Sequence, residues 1–384
     1  MRRLVTLVSV LVFVDTTLFA ALTPLLGRFA HELHLSTATA GVLVAAYAAG
    51  ALLGSLPGGV TAARLGPRRA VLAGLALMGV ASLGFAWSES FGQLLAARLV
   101  QGAGSGFTWA GSFAWLMAAA PRERRGALIG TAMGAAVVGA LAGPIVGSAA
   151  ALLGRGGVFT AVAALSALLG VVTVSIPSRA PESPSAGAMR RAVRNDVFIG
   201  GLGLLALASL LSGVVAVLAP LELTHHGWGP AAIGAVWLIA AAIEAAQSPL
   251  IGRLSDRHGP LAPVRYALMA GAAASLALIV GLAPLPYTLA IVAASIAFGI
   301  LFTPAFALIA DGADRVGLAQ GMAFGMMNVA WALGAIAGPA GAGVLADATG
   351  EGVPFALALL GCLACFGVIA RRSRAPLART QMGG

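Results

Sequence analysis

GALAGP occupies residues 139–144, and GAIAGP occupies residues 334–339, 195 positions later, each inside a long apolar stretch. The match extends beyond the hexapeptide. At a shift of 195, Gly126, Gly130, Gly139, Gly143 and Pro144 fall on Gly321, Gly325, Gly334, Gly338 and Pro339. A second block agrees at a shift of 193, where Gly59, Arg64, Gly66 and Pro67 fall on Gly252, Arg257, Gly259 and Pro260. Two blocks at nearly one offset make the chain a tandem repeat, with each hexapeptide marking the same place in one copy.

The medium of the repeat follows from composition. Hydrophobic residues make up 59% of the 384 and charged residues 9%, against about 25% charged in a soluble domain. Apolar stretches long enough to cross a hydrocarbon core of about 30 Å recur from end to end. They lack the alternation of barrel strands, so they read as helices that satisfy their own backbone. Hydropathy and turn signals place twelve spans near 4–26, 38–61, 69–87, 91–119, 126–152, 156–176, 198–221, 230–252, 263–283, 286–310, 319–346 and 353–370. The basic, apolar start resembles a secretory leader. Asp15 interrupts the apolar run and eleven spans follow, so no cleavage is expected.

All 23 basic residues are arginine. With a cytoplasmic N-terminus, twenty fall on cytoplasmic connections and tails, among them Arg64, Arg68 and Arg69, against Arg28 and Arg155 outside. That asymmetry is the positive-inside signature, and it places both termini in the cytoplasm of a multi-pass cell-membrane protein. The net charge of +10 then reports orientation and contact with anionic lipid; nucleic acid is not an expected partner.

The polar stretch SRAPESPSAGAMRRAVRND (178–196) divides the chain almost in half. It reads as a cytoplasmic linker between an N-terminal six-helix bundle (1–177) and a C-terminal one (197–372), with 373–384 as a cytoplasmic tail. Parallel repeats of this kind suggest a transporter with a central site that rocks between two faces.

Three motifs in order resemble those of the major facilitator superfamily, and within it the twelve-span drug:proton antiporters. GGVTAARLGPRRA (58–70) resembles the loop motif between spans 2 and 3, RLVQGAGSG (98–106) the span-4 motif, and GALAGPIVG (139–147) a span-5 motif found mainly in exporters. The resemblance covers essentially the whole chain and implies an all-α fold of two pseudo-symmetric six-helix bundles. It also implies gating roles for Gly59, Arg64, Gly66, Arg68 and Arg69 and for their counterparts Gly252, Asp256, Arg257 and Gly259. One departure is plain: the first copy has Ala63 where the family has aspartate, whereas the second keeps Asp256.

The span-5 motif carries its own physics. Gly139, Gly143 and Gly147 recur every four residues on one helix face, which lets another helix approach closely. Pro144 favours a bend, and Gly334, Gly338 and Pro339 repeat the arrangement in span 11. The expectation is a bent, closely packed pair of helices lining the seam between the halves.

Ionisable residues at membrane depth are costly and point to function. Asp15 lies roughly 16 Å into span 1 at 1.5 Å per residue, near the midplane, where Thr16 and Thr17 are at hand to satisfy it. A carboxyl there can cycle between charged and neutral forms, which is what a proton carrier needs. Arg98 lies in span 4, and Glu244, followed by Gln247, in span 8. The resemblance implies proton coupling for Asp15 and Arg98, with Glu244 as the next candidate. Tyr47, Gln101, Trp109, Gln247, Asn328 and Trp331 are candidates for a substrate cavity, with Trp115 and Trp237 also inside spans, and Trp87 and Trp228 suit an interface.

The remaining features are read as structural. Cys362 and Cys365 sit inside span 12 and read as packing residues. His225 and His226 adjoin Glu222, but no further ligand cluster follows in sequence, so no metal is expected. No cofactor is expected either. The chain has no P-loop and no lysine to complete one, so it is not an ATP-driven pump, and no nucleophile–base pair marks an enzyme. The leading reading is a monomeric, proton-driven exporter of small lipophilic compounds, cations included. The alternative is an importer or facilitator of a small polar nutrient such as a sugar.

Overall fold

The computed structural model describes residues 1–119, 125–178, 186–259, 261–280, 284–318 and 320–380. The first half comprises α1 (Arg2–Ala20), α2 (Thr23–Glu32), α3 (Thr37–Leu65), α4 (Pro67–Ala86), α5 (Phe91–Ala119), α6 (Arg125–Leu153) and α7 (Arg155–Val174). A short α8 (Ala186–Ala192) follows, and then α9 (Asp196–His225), α10 (Pro230–His258), α11 (Leu261–Ile279), α12 (Pro284–Ile300), α13 (Phe302–Arg315), α14 (Gln320–Thr349) and α15 (Gly352–Thr380). Eleven segments among the described residues are long and apolar enough to cross a membrane, with α1–α2 and α12–α13 each counted as one. α5 makes the twelfth helix of the bundle: its 29 residues span about 43 Å, and its Arg98 and Gln101 are buried against its neighbours.

Helix pairing repeats between the halves. α1 packs on α6 as α9 packs on α14, α3 on α5 as α10 on α12, and α4 on α7 as α11 on α15. Across the seam α3 meets α14 and α6 meets α10, which are again equivalent pairs. The architecture is two pseudo-symmetric six-helix bundles.

Without a hydrophobic drive between helices in lipid, close packing of small residues does the work. Methyl groups added at Gly50, Gly54 or Gly102 would collide with backbone across the α3–α5 contact. Both repeated loops turn on a glycine in the left-handed region, Gly66 at φ 93° and Gly259 at φ 81°, where a side chain would be strained. Pro67 then opens α4 with the fixed φ that suits a first helical turn.

One expectation needs correction. Spans 1 and 10 are broken rather than continuous, because Pro24 and Pro304 start new helices in α2 and α13. Within the 178–196 stretch lies the short α8, whose Arg191 Nε and Nη2 donate to the Val316 carbonyl. The last span, Gly352–Arg371, ends close to its expected edge, and the backbone of α15 runs on as helix to Thr380.

The span-5 stripe also works differently from expectation. Gly139, Gly143 and Gly147 face Phe13, Ala20, Ala21 and Pro24, so they pack α6 on α1–α2 within one half. Gly334 and Gly338 likewise pack α14 on Ala206, Ser209 and Leu210 of α9. The seam is touched by the adjoining faces: Gly234 meets Pro144 and Ser148, while Gly41 and Thr37 meet Pro339 and Gly343. Ser148 Oγ donates to the Pro230 carbonyl there at 3.2 Å. These contacts lie at the helix ends away from the termini, and they close that side.

Candidate functional site: a carboxylate-bearing central cavity

A cavity of about 280 Å³ lies between the halves, lined by both. Asp15, Phe19, Tyr47, Ser105 and Trp109 come from the first half; Glu244, Phe302, Phe306, Asn328 and Trp331 come from the second. Phe19 bridges the two, with its ring centroid 5.4 Å from Tyr47 and 5.3 Å from Trp331. Met133 and Met327 both line it, from the equivalent helices α6 and α14, adaptable apolar surface.

Asp15 is 4% exposed. Tyr47 Oη donates to its Oδ1 at 2.7 Å, while Ser105 Oγ at 3.0 Å and Trp109 Nε1 at 2.6 Å donate to its Oδ2. An ionised carboxylate accepts only, and here three donors converge on it. The hydroxyls of Tyr47 and Ser105 can turn to accept a hydrogen bond instead, whereas the indole N–H of Trp109 is donor only. Trp109 thus holds an aromatic side chain of the cavity wall to the carboxylate through Oδ2.

Thr16 and Thr17 do not satisfy Asp15, contrary to expectation. Side chains one and two positions apart on a helix do not face each other. Instead Thr16 donates to the Ala136 carbonyl at 3.0 Å and Thr17 to that of Gly139 at 3.1 Å, which stitches α1 to α6.

Arg98 is buried behind Tyr47, with its guanidinium 4.6 Å above that ring. Nη1 donates to the Leu18 carbonyl at 3.1 Å and to Gln101 Oε1 at 2.8 Å; Nη2 donates to the Phe19 carbonyl at 3.3 Å. It thus caps the end of α1, where helix carbonyls lack intrahelical partners and a cation suits the negative end of the dipole. Tyr47 stands between this cation and Asp15.

Glu244 reaches the cavity from α10, its carboxyl seated where Gly299 of α12 has no side chain. Gln101, whose Nε2 donates to Ser82 Oγ at 3.4 Å, supports Arg98 rather than lining the cavity. Gln247 is not on the wall either. Trp115 is fully buried and donates to the Pro177 carbonyl at 3.1 Å, and Trp237 packs against the core. Trp87 is 71% exposed, as an interface residue should be, whereas Trp228 packs against the core. Ser105 and Phe19 were missed: Ser105 lies seven residues beyond Arg98, on the face of α5 that meets Asp15, and Phe19 four beyond Asp15.

At the loop motifs, Arg68 Nη1 donates to the Val174 carbonyl at 3.3 Å, while Ala63, Arg64, Arg69 and Arg257 are exposed. Gly59 has open space beside it. Gly252 and Asp256 lie outside the described residues for their side-chain surroundings. Cys362 and Cys365 are free thiols on α15, and a methyl group at Gly271 would touch Cys362.

The sequence profile of the Major Facilitator Superfamily matches residues 6–323. The chain belongs to that superfamily, a family of secondary transporters. It is 32% identical over 182 residues to MFS-type transporter ppzB of Metarhizium rileyi, which covers 45% of this chain and 36% of that protein. It is 31% identical over 139 residues to the uncharacterized MFS-type transporter Rv1250 of Mycobacterium tuberculosis, covering 36% and 24%. The matches thus span about a third or less of these curated relatives. Among solved structures, a bacterial homolog of the human lysosomal transporter Spinster, in an inward-facing and unoccupied conformation, superposes with a TM-score of 0.74 at 16% identity. That superposition covers 96% of each chain. A D-xylose–proton symporter gives 0.72 at 17% identity over 94% and 95%. Both likenesses carry the fold.

Proposed function

We propose that this transporter is a proton-coupled exporter of small lipophilic compounds, cations included, working by alternating access. The observation that carries the reading is the cavity wall: two carboxyls, Asp15 and Glu244, one from each half, set among aromatic and thioether side chains. A lipophilic cation finds apolar area, π-faces and opposite charge there. A sugar needs many hydrogen-bonding groups, and Asn328, Ser55 and Thr16 are few. The likeness to the D-xylose symporter is one of fold and does not separate the two readings.

In this reading Asp15 carries the proton and Arg98, acting through Tyr47, biases its release. Substrate and proton compete for the carboxyl, which couples their fluxes in opposite directions. Residues 1–177 and 197–372 rock against each other about the seam, joined by the cytoplasmic linker 178–196 with 373–384 as a tail. The structure's closed side is then the outer one, so this conformation faces inward, in a cell membrane with both termini in the cytoplasm.

The test is transport in proteoliposomes with and without a pH gradient, scanning lipophilic cations and neutral sugars. Asp15→Asn keeps size and hydrogen bonding but cannot titrate, so gradient-driven accumulation is expected to stop. Accumulation of the same substrate by Asp15→Asn, with unchanged pH dependence, would refute coupling at this residue and move it to Glu244.

A further inference from the structure

The last turn of α9 and its cap residue present Glu222, His225 and His226, three and four positions on from Glu222, so the side chains share one face. Glu222 Oε2 lies 3.6 Å from His225 Nδ1, and its Oε1 lies 3.2 Å from His226 Nε2. In sequence these residues stand without further ligands. The fold supplies one: Glu351, in the turn between α14 and α15, reaches the same point. One ligand atom from each of Glu222, His225 and Glu351 lies within 4.8 Å of the others.

An independent feature adjoins the cluster. Tyr287 of α12 is 4% exposed, yet its phenol oxygen has no hydrogen-bond partner. Its ring centroid lies 6.4 Å from that of His226, with the ring planes at 62°. A buried O–H without an acceptor is expensive, and this one belongs to a ring packed against His226 of the cluster.

We propose that Glu222, His225 and Glu351 bind a divalent transition-metal cation of the zinc class, at the face of the protein away from its termini. Two carboxylate oxygens and one imidazole nitrogen are a borderline donor set that suits zinc and discriminates against calcium and magnesium, which prefer all-oxygen shells. Tetrahedral zinc with bonds near 2.0 Å places ligands roughly 3.3 Å apart. The exposed His225, at 72% of its side chain, has the freedom to close the remaining distance. His226 or a water fills the fourth position, and the Tyr287 O–H finds its acceptor in a bound water or ligand oxygen, the outer support that zinc sites use.

The cation would tie the end of α9 to the α14–α15 turn.

The test is calorimetric titration of zinc chloride alone into untagged, full-length protein at pH 7.5, with thermal unfolding in parallel. One equivalent of zinc is expected to bind, with magnesium chloride giving no comparable heat, and to raise the melting temperature by mass action. Glu351→Gln and His225→Asn should each weaken zinc at least tenfold, and Tyr287→Phe about tenfold, while His34→Asn leaves it unchanged. Because His225 is exposed, His225→Asn keeps the test decisive even if Glu351→Gln fails to fold. Absence of zinc uptake by the wild type, or uptake undiminished in His225→Asn, overturns the proposal.

Discussion

Asp347, in the last turn of α14, accepts the backbone N–H of Thr37 over 2.8 Å, in the first turn of α3 in the other half, and that of Ala38 over 3.0 Å. Ser36 accepts from the N–H of Thr39, and Ala40 bonds the Ser36 carbonyl. The orphan donors of a helix start are thus shared between a local cap and a carboxylate from across the seam.

A charge at a helix N-terminus contributes about 0.3–2 kcal/mol. Asp347→Asn is therefore expected to shift the balance away from closure of this face by about two- to thirtyfold. Spin labels at His34 and Ala348 would read it as a growing long-distance population. An unchanged distribution means that the other seam contacts, at Gly41, Gly343, Gly234 and Ser148, hold the face shut without it.

Close packing predicts a contrast between two glycines of α6. A methyl group at Gly139 meets Thr16 and the Phe13 carbonyl, whereas one at Gly130 meets nothing within 4 Å. Gly139→Ala should destabilise by about 1–3 kcal/mol, the usual cost of overpacking, and Gly130→Ala should be close to neutral. Thermal unfolding of the two variants side by side checks the difference, and equal melting temperatures would show that the α1–α6 contact yields easily.

Arg98→Lys should fail where a charge-only role would let it succeed. Lysine offers a point charge without the planar fork, and Arg98 serves Leu18, Phe19 and Gln101 at once. Gradient-driven transport is expected to be lost in both Arg98→Lys and Arg98→Ala. Arg98→Ala should also lose about 1–3 kcal/mol for each carbonyl left without a donor. Uphill transport at the wild-type rate by Arg98→Ala would reduce the residue to a helix cap.

The arginine asymmetry predicts topology. A cysteine introduced at Ser183, labelled with a membrane-impermeant maleimide, should react in inverted vesicles and stay protected in intact cells. Labelling from the outside of intact cells would reverse the assignment of inner and outer faces.

Helix type, the number of crossings and the two-fold repeat were legible because each is written in local pattern. Apolar runs of span length, the duplicated GALAGP and GAIAGP, and Gly66 and Gly259 at equivalent turns need no knowledge of what packs where. The breaks at Pro24 and Pro304 carry an equally local signal, but were not read from it. Of the cavity, Asp15, Tyr47, Trp109, Glu244, Asn328 and Trp331 were readable as polar or aromatic residues at membrane depth. Gln101 and Gln247 carry the same signal but do not line it, because depth along a helix says nothing about which way a side chain faces around it.

By itself the sequence determined the medium, the helices and the symmetry, since hydropathy and glycine spacing act within a single span. Only the tertiary structure decided the partners: Tyr47, Ser105 and Trp109 on Asp15, Asp347 on the start of α3, and Glu351 beside Glu222 and His225. Each joins residues far apart in the chain through a crossing of two helices, and the azimuth of such a crossing is set by packing small residues over the whole interface.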